Sequence, residues 1–133
     1  MATIPPIVRQ MVICDDVQPA AEDRSRVNVL GVTHNIRAKP GQVFPPRHPG
    51  LCAYVVLTGG VGTGRVQLRV SEAVTGDDLF GSAVHDVNHP PARHEIAAVI
   101  LRVKDCVFPR PGLYWVEFHH DGAMIRREPV TVR

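Results

Sequence analysis

Proline placement constrains this chain more than any other feature. Pro5-Pro6, Pro45-Pro46 with Pro49, Pro90-Pro91, and Pro109 with Pro111 each stand between apolar runs. Proline has no N–H for a sheet ladder or a helix interior, so such clusters mark loops and strand boundaries and argue against long helices. The runs between them alternate. Val66, Leu68 and Val70 interleave with Arg65, Gln67 and Arg69, the period of a strand with one buried and one wet face. Residues 51–58 are apolar on both faces, and so are residues 96–103, where Ala97, Val99, Leu101 and Val103 form the better core face. Strands of that kind are central or covered on both sides.

Residues 106–132 read as a corner, a strand, a tight turn and a last strand. Tyr114, Val116 and Phe118 share one face, and Asp121-Gly122 tolerates the positive φ that a hairpin turn needs. Upstream, the pattern predicts a first strand over 7–14. A loop over 15–25 follows, with room for one helical turn near 20–22. Strand character returns around Val27, Val29 and Val32. A proline-rich loop is expected over 39–50, a turn at Asp77-Asp78, a weak strand over 79–87 and a loop over 85–93. Short, evenly spaced strands with Pro/Gly turns predict an all-β fold. The expected form is an antiparallel two-sheet β-sandwich of seven or eight strands with an Ig-like layout, and a closed barrel is the main rival.

Composition narrows the function classes. A length of 133 residues suits one β-sandwich domain over 1–133, large enough to bury a core without staples. A net charge of +2 from scattered cations does not form the basic patch that nucleic acid requires. No run reaches the length of a membrane span. The opening Met-Ala-Thr-Ile-Pro-Pro lacks the basic segment and apolar stretch of a secretory leader, so a cytoplasmic location is expected. Cys14, Cys52 and Cys106 leave one thiol over under any pairing and contain no Cys-x-x-Cys. They read as buried thiols in a reducing compartment.

Candidate sites are few. The glycines between Gly59 and Gly64 lead into Arg65 and a strand, so they make a hairpin connection and not a phosphate loop. His85, His89 and His94, with Asp86 and Glu95 beside them, are the best metal candidates, because a loop can gather neutral imidazoles. Pro90-Pro91 removes the helix that would have put His85 and His89 on one face. His119 and His120 are adjacent, so a regular strand points them to opposite faces. The carboxylate pairs Asp15-Asp16, Glu22-Asp23 and Asp77-Asp78 lack the spacing of a calcium loop. No Gly-x-Ser-x-Gly surrounds Ser25, Ser71 or Ser82, so catalysis would need a dispersed triad. If Tyr114, Val116 and Phe118 face the core, then Trp115, Glu117 and His119 form the opposite row. A partly exposed tryptophan there suits a protein interface.

Cys14-Asp15-Asp16, the run Asn28-Val29-Leu30-Gly31-Val32-Thr33, Leu57-Thr58-Gly59-Gly60, and Val107-Phe108-Pro109 with Pro111-Gly112-Leu113-Tyr114 together resemble a family of uncharacterised single-domain bacterial proteins. The resemblance implies a compact β-sandwich and transfers no catalytic residue or activity. The histidine-rich 85–94 stretch departs from it.

The residues therefore favour a non-enzymatic module that binds a protein partner or assembles with itself. No cofactor, nucleic acid or membrane partner is expected, and any small-molecule ligand is unidentified. A metal-binding module built on the His85–His94 loop is the first alternative. A small hydrolase with a dispersed site is the second.

Overall fold

A computed structural model describes residues 4–23, 26–37, 47–92 and 94–133, with the backbone alone for 47–49. Among these residues ten strands run in the order β1 (Ile7–Pro19), β2 (Val27–Val32), β3 (Asn35–Ile36), β4 (Arg47–Thr58), β5 (Thr63–Glu72), β6 (Asp78–Gly81), β7 (His85–Asn88), β8 (Ala97–Val107), β9 (Gly112–His120) and β10 (Ala123–Val132). They form a four-stranded sheet, β2-β1-β4-β8, and a six-stranded sheet, β3-β10-β9-β5-β6, with β7 also on β5. Both sheets are open, so the barrel rival is not the fold. Among the described residues there is no helix, and hence none long and apolar enough to cross a membrane.

The core lies between the sheets. Met11, Ile13, Leu51, Ala53, Val55 and Leu57 from the smaller sheet meet Val66, Leu68, Val70, Tyr114, Val116 and Phe118 from the larger. The alternation of β5 and β9 puts every second side chain there, as the period of a strand demands. Phe108 stacks edge-on against Tyr114 with ring centroids 4.9 Å apart. The phenol of Tyr114 donates to the Arg110 carbonyl at 2.6 Å, which ties the corner before β9 to the strand. Asp121 and Gly122 adopt φ of 49° and 81° and close the last hairpin.

The strand count exceeds the expected seven or eight for local reasons. The expected weak strand over 79–87 splits into β6 and β7. Both lie on the same side of β5, with a break at Ser82, whose hydroxyl accepts from the Leu68 amide at 2.9 Å. Asn35–Ile36 forms a two-residue strand parallel to β10, an exception to the antiparallel plan. β1 continues through the expected loop to Pro19, because β2 pairs with it as far as Val27. No helical turn forms at 20–22. β4 begins at Arg47, inside the expected 39–50 loop, where it pairs with Val107; residues 39–46 of that loop lie outside the described residues.

Candidate functional site

The central strand of the larger sheet builds the most organised polar surface. Tyr114, Val116 and Phe118 are at most 1% exposed, so strand alternation turns Trp115, Glu117 and His119 outward, where all three are half-buried. Their neighbours are fixed by register. Ser71, Arg69 and Gln67 of β5 lie opposite Trp115, Glu117 and His119. Pro129 and Arg127 of β10 lie opposite Trp115 and Glu117.

Both oxygens of Glu117 are engaged. The Ser71 hydroxyl donates to Oε2 at 2.9 Å, and His119 Nε2 lies 3.0 Å from Oε1. His119 Nδ1 is buried and has no partner among the described residues. The Arg127 guanidinium stacks 3.9 Å above the Trp115 ring, a cation–π contact that holds the indole in place while leaving part of it open. Beside this row lies a hollow of about 430 Å³ walled by Arg65, Gln67, Arg69, Val84 and His119. The ion pairs Arg65–Asp86 and Arg69–Asp78, both 3.6 Å and well exposed, are weak tethers in water.

Ser71, Glu117 and His119 are the residue types of a hydrolytic triad, but the wiring is wrong for one. A nucleophilic serine needs the imidazole beside its hydroxyl, with the carboxylate behind the imidazole. Here the carboxylate stands between the two, so Ser71 has no imidazole beside its hydroxyl. Ser82 spends its hydroxyl on the Leu68 amide and the Ala83 carbonyl. Ser25 lies outside the described residues.

The histidine candidates separate. His85 and His94 are exposed. His89 turns away from them to face His120, Nε2 to Nε2 at 3.1 Å. With ring centroids 5.3 Å apart, the two imidazoles meet nearly head to head, so one must donate and the other accept. His120 is 4% exposed, and its Nδ1 lies 3.6 Å from Asp121 Oδ2. Burial, reinforced by His120, lowers the His89 pKa from 6.5. The glycine-rich stretch finds its use here: a Cβ on Gly60 would strike the His89 ring and one on Gly64 the His120 ring. Among the described residues, no group of three or more His, Cys, Asp or Glu side chains could hold a metal ion. Sequence spacing could not reveal the His89–His120 pair, since its members are 31 positions apart. The small residues at 60 and 64 were the only trace of it.

Cys14, Cys52 and Cys106 are free and buried. Burial pushes the Cys14 thiol up to about 12 and the Cys106 thiol to about 11, which leaves neither as a thiolate nucleophile near neutrality.

The chain is thus an all-β, two-sheet protein with one organised polar face and no converging catalytic set among the described residues. It belongs to the family of unknown function DUF6941, which it matches over residues 9–133. No curated protein matches its sequence.

Proposed function

We propose that this protein is a non-enzymatic, single-domain binding module that meets a protein partner through the outer face of its larger sheet. One observation carries the reading: Trp115, braced by Arg127, sits beside a hydrogen-bonded row of Ser71, Glu117 and His119. Tryptophan and arginine dominate binding energy at interfaces when they are held rigidly in a partner-sized surface. The Ser71–Glu117–His119 wiring immobilises the neighbouring side chains beforehand, which lowers the ordering cost of association.

The proposed layout is Ig-like. Its support is that β1 meets β10 and β8 meets β5 across the two sheets, and that Tyr114 bonds back to Arg110 at the start of β9, the arrangement of a tyrosine corner. The proposed location is the cytoplasm, supported by three buried cysteines that remain free.

The test compares the wild type with Trp115→Ala and Arg127→Ala as crosslinking baits under identical conditions. Both variants should keep the wild-type melting temperature to within a few degrees and lose the partner that the wild type retains. The chain has a single tryptophan, so its emission reports on this face alone and should shift when the partner is added. If both variants retain the partner and the emission does not move, the reading fails.

A further inference from the structure

His89 and His120 meet where the β4–β5 connection, the end of β7 and the β9–β10 turn converge. The chain keeps two backbone positions bare for their rings. Of the glycines in this connection, Gly59 and Gly62 have φ of 77° and 84°, a conformation that favours glycine. Gly60 and Gly64 have no positive φ, so their backbone does not require the residue type. A Cβ on Gly60 would instead come within 2.5 Å of His89 Nδ1, and one on Gly64 would overlap His120 Nε2.

The strand that ends beside His89 has few other holds. β7 is four residues long, and Val87 is its one buried side chain. It pairs with β5 over Thr63–Val66 alone. The Thr63 hydroxyl donates to Asn88 Oδ1 at 2.9 Å, and the His89 N–H donates to the Gly62 carbonyl at 2.9 Å. The exposed Arg65–Asp86 pair adds little in water. A short edge strand with so little burial opens before the rest of a sheet.

Proton counting makes the imidazole contact conditional. The two Nε2 atoms lie 3.1 Å apart, so one ring must bring a hydrogen and the other a lone pair. A neutral pair meets this condition, and so does a pair with one added proton. With two added protons both Nε2 atoms carry hydrogen and both rings carry charge, and attraction becomes repulsion. The charged groups that reach His89 are His120 and Asp121. Asp121 Oδ2 lies 3.6 Å from His120 Nδ1, and its Oδ1 accepts from the Arg65 amide at 2.9 Å, so this carboxylate favours the first proton on the pair. The β4–β5 connection brings no charge, and on β5 and β7 the Arg65 guanidinium and Asp86 are turned to each other. His85 of β7 is exposed.

We infer that the His89–His120 contact is a proton-operated latch, which acid opens to release β7 from β5 while the rest of the larger sheet stays paired. Release bares the β5 edge over Thr63–Val66 and uncovers Val87, so acid exposes a strand edge that the neutral protein keeps covered. The sign follows from the folded protein. Burial first, then His120, lowers the His89 pKa from 6.5, against the opposing pull of Asp121. The latch therefore supports β7 fully above pH 6.5, and that support is lost as pH falls below it. Trp115, Glu117 and His119 take no part, so the latch and the proposed interface can fail separately.

Residue-resolved hydrogen exchange at about pH 7.5 and about pH 5, corrected for the intrinsic rate at each pH, tests the inference. On acidification, protection of the His89 amide should fall at least about tenfold while β9 keeps its protection. His89→Gln retains a hydrogen-bonding group that does not titrate, so the amide at that position should lose its pH dependence. His85→Gln, at an exposed position on the same strand, should respond like the wild type. Gly60→Ala pushes against the His89 ring from another element and should open β7 already at neutral pH. Equal protection of the wild-type amide at both pH values overturns the inference. So does a loss in β9 as large as that in β7, a full acid response in His89→Gln, an abolished response in His85→Gln, or a Gly60→Ala variant whose β7 stays protected at neutral pH.

Discussion

The outer faces of the two sheets are built to opposite plans. On the smaller sheet, Cys14, Val17 and Cys52 form a second apolar cluster outside the main core, with Val27, Val29, Tyr54 and Ile100 packed against it. The end of β1 lies across this face: Arg102 of β8 reaches over to the Val17 carbonyl and to Asp16 Oδ1 at 3.3 Å. The Gln18 amide, then the Val17 N–H and the Arg102 guanidinium, hold the Asp16 carboxyl below its ordinary pKa. Among the described residues no strand lies over the outer face of the larger sheet, which is dressed with Trp115, Glu117, His119 and arginines. Both plans stem from the strands themselves. β4 is apolar on both sides and therefore needs a cover, whereas β5 alternates and needs none. A sheet face that the chain covers with its own hairpin is withdrawn from binding. A face left open and wired together beforehand is available for it.

The largest test of this contrast introduces a carboxylate on each face. Cys52→Asp places a charge beneath the covering hairpin, at a position 1% exposed, and should cost about 3 kcal/mol or more. Met124→Asp, at a position 45% exposed on the open side, should change stability by less than about 0.5 kcal/mol. Urea unfolding measures both, and equal losses would break the contrast.

Alkali should also strike the covered face. Cys14 has its folded pKa raised from 9.0 to about 12, so its burial supports the fold fully below pH 9.0 and that support is lost as pH rises toward 12. Melting temperature should therefore fall over this range in the wild type and fall less steeply in Cys14→Ala. A slope unchanged by the substitution would show that the thiol is not what the hairpin keeps dry.

Trimming the cover should have a smaller effect. Val17→Ala removes two methyl groups from the cluster and should cost about 1–2 kcal/mol in urea unfolding. Hydrogen exchange should quicken over β2 and the end of β1 before the rest of the fold. Uniform quickening would mean that the hairpin is not a separate cover. A smaller effect still belongs to the brace on the open face. Arg127→Gln removes the cation above the indole and should cost about 0.5–1 kcal/mol. Trp115 emission should change with no change in far-ultraviolet circular dichroism.

Much of the architecture was legible from one-dimensional pattern. The two-residue period of Val66-Leu68-Val70 and of Tyr114-Val116-Phe118 identified core faces, and the doubly apolar 51–58 run identified a strand covered on both sides. Asp121-Gly122 marked the last turn. The outward row Trp115, Glu117 and His119 followed from the same alternation. The breaks were harder to read. The split of β6 from β7 depends on Ser82 capturing the Leu68 amide, and the extension of β1 to Pro19 depends on a partner strand that begins at Val27. Each is a contact between segments whose own composition predicts little.

By itself the sequence determined which side chains face inward, because a strand's alternation is a property of its own backbone and burial of apolar surface enforces it. Only the tertiary structure decided which outward rows are covered and which stay open. It also decided that His89 meets His120 instead of His85 and His94, and that β8 is left at an edge. Those outcomes depend on strand order and register, which are set by non-local pairing across the sheets, and no local period in a chain encodes the distance between segments that meet only when it folds.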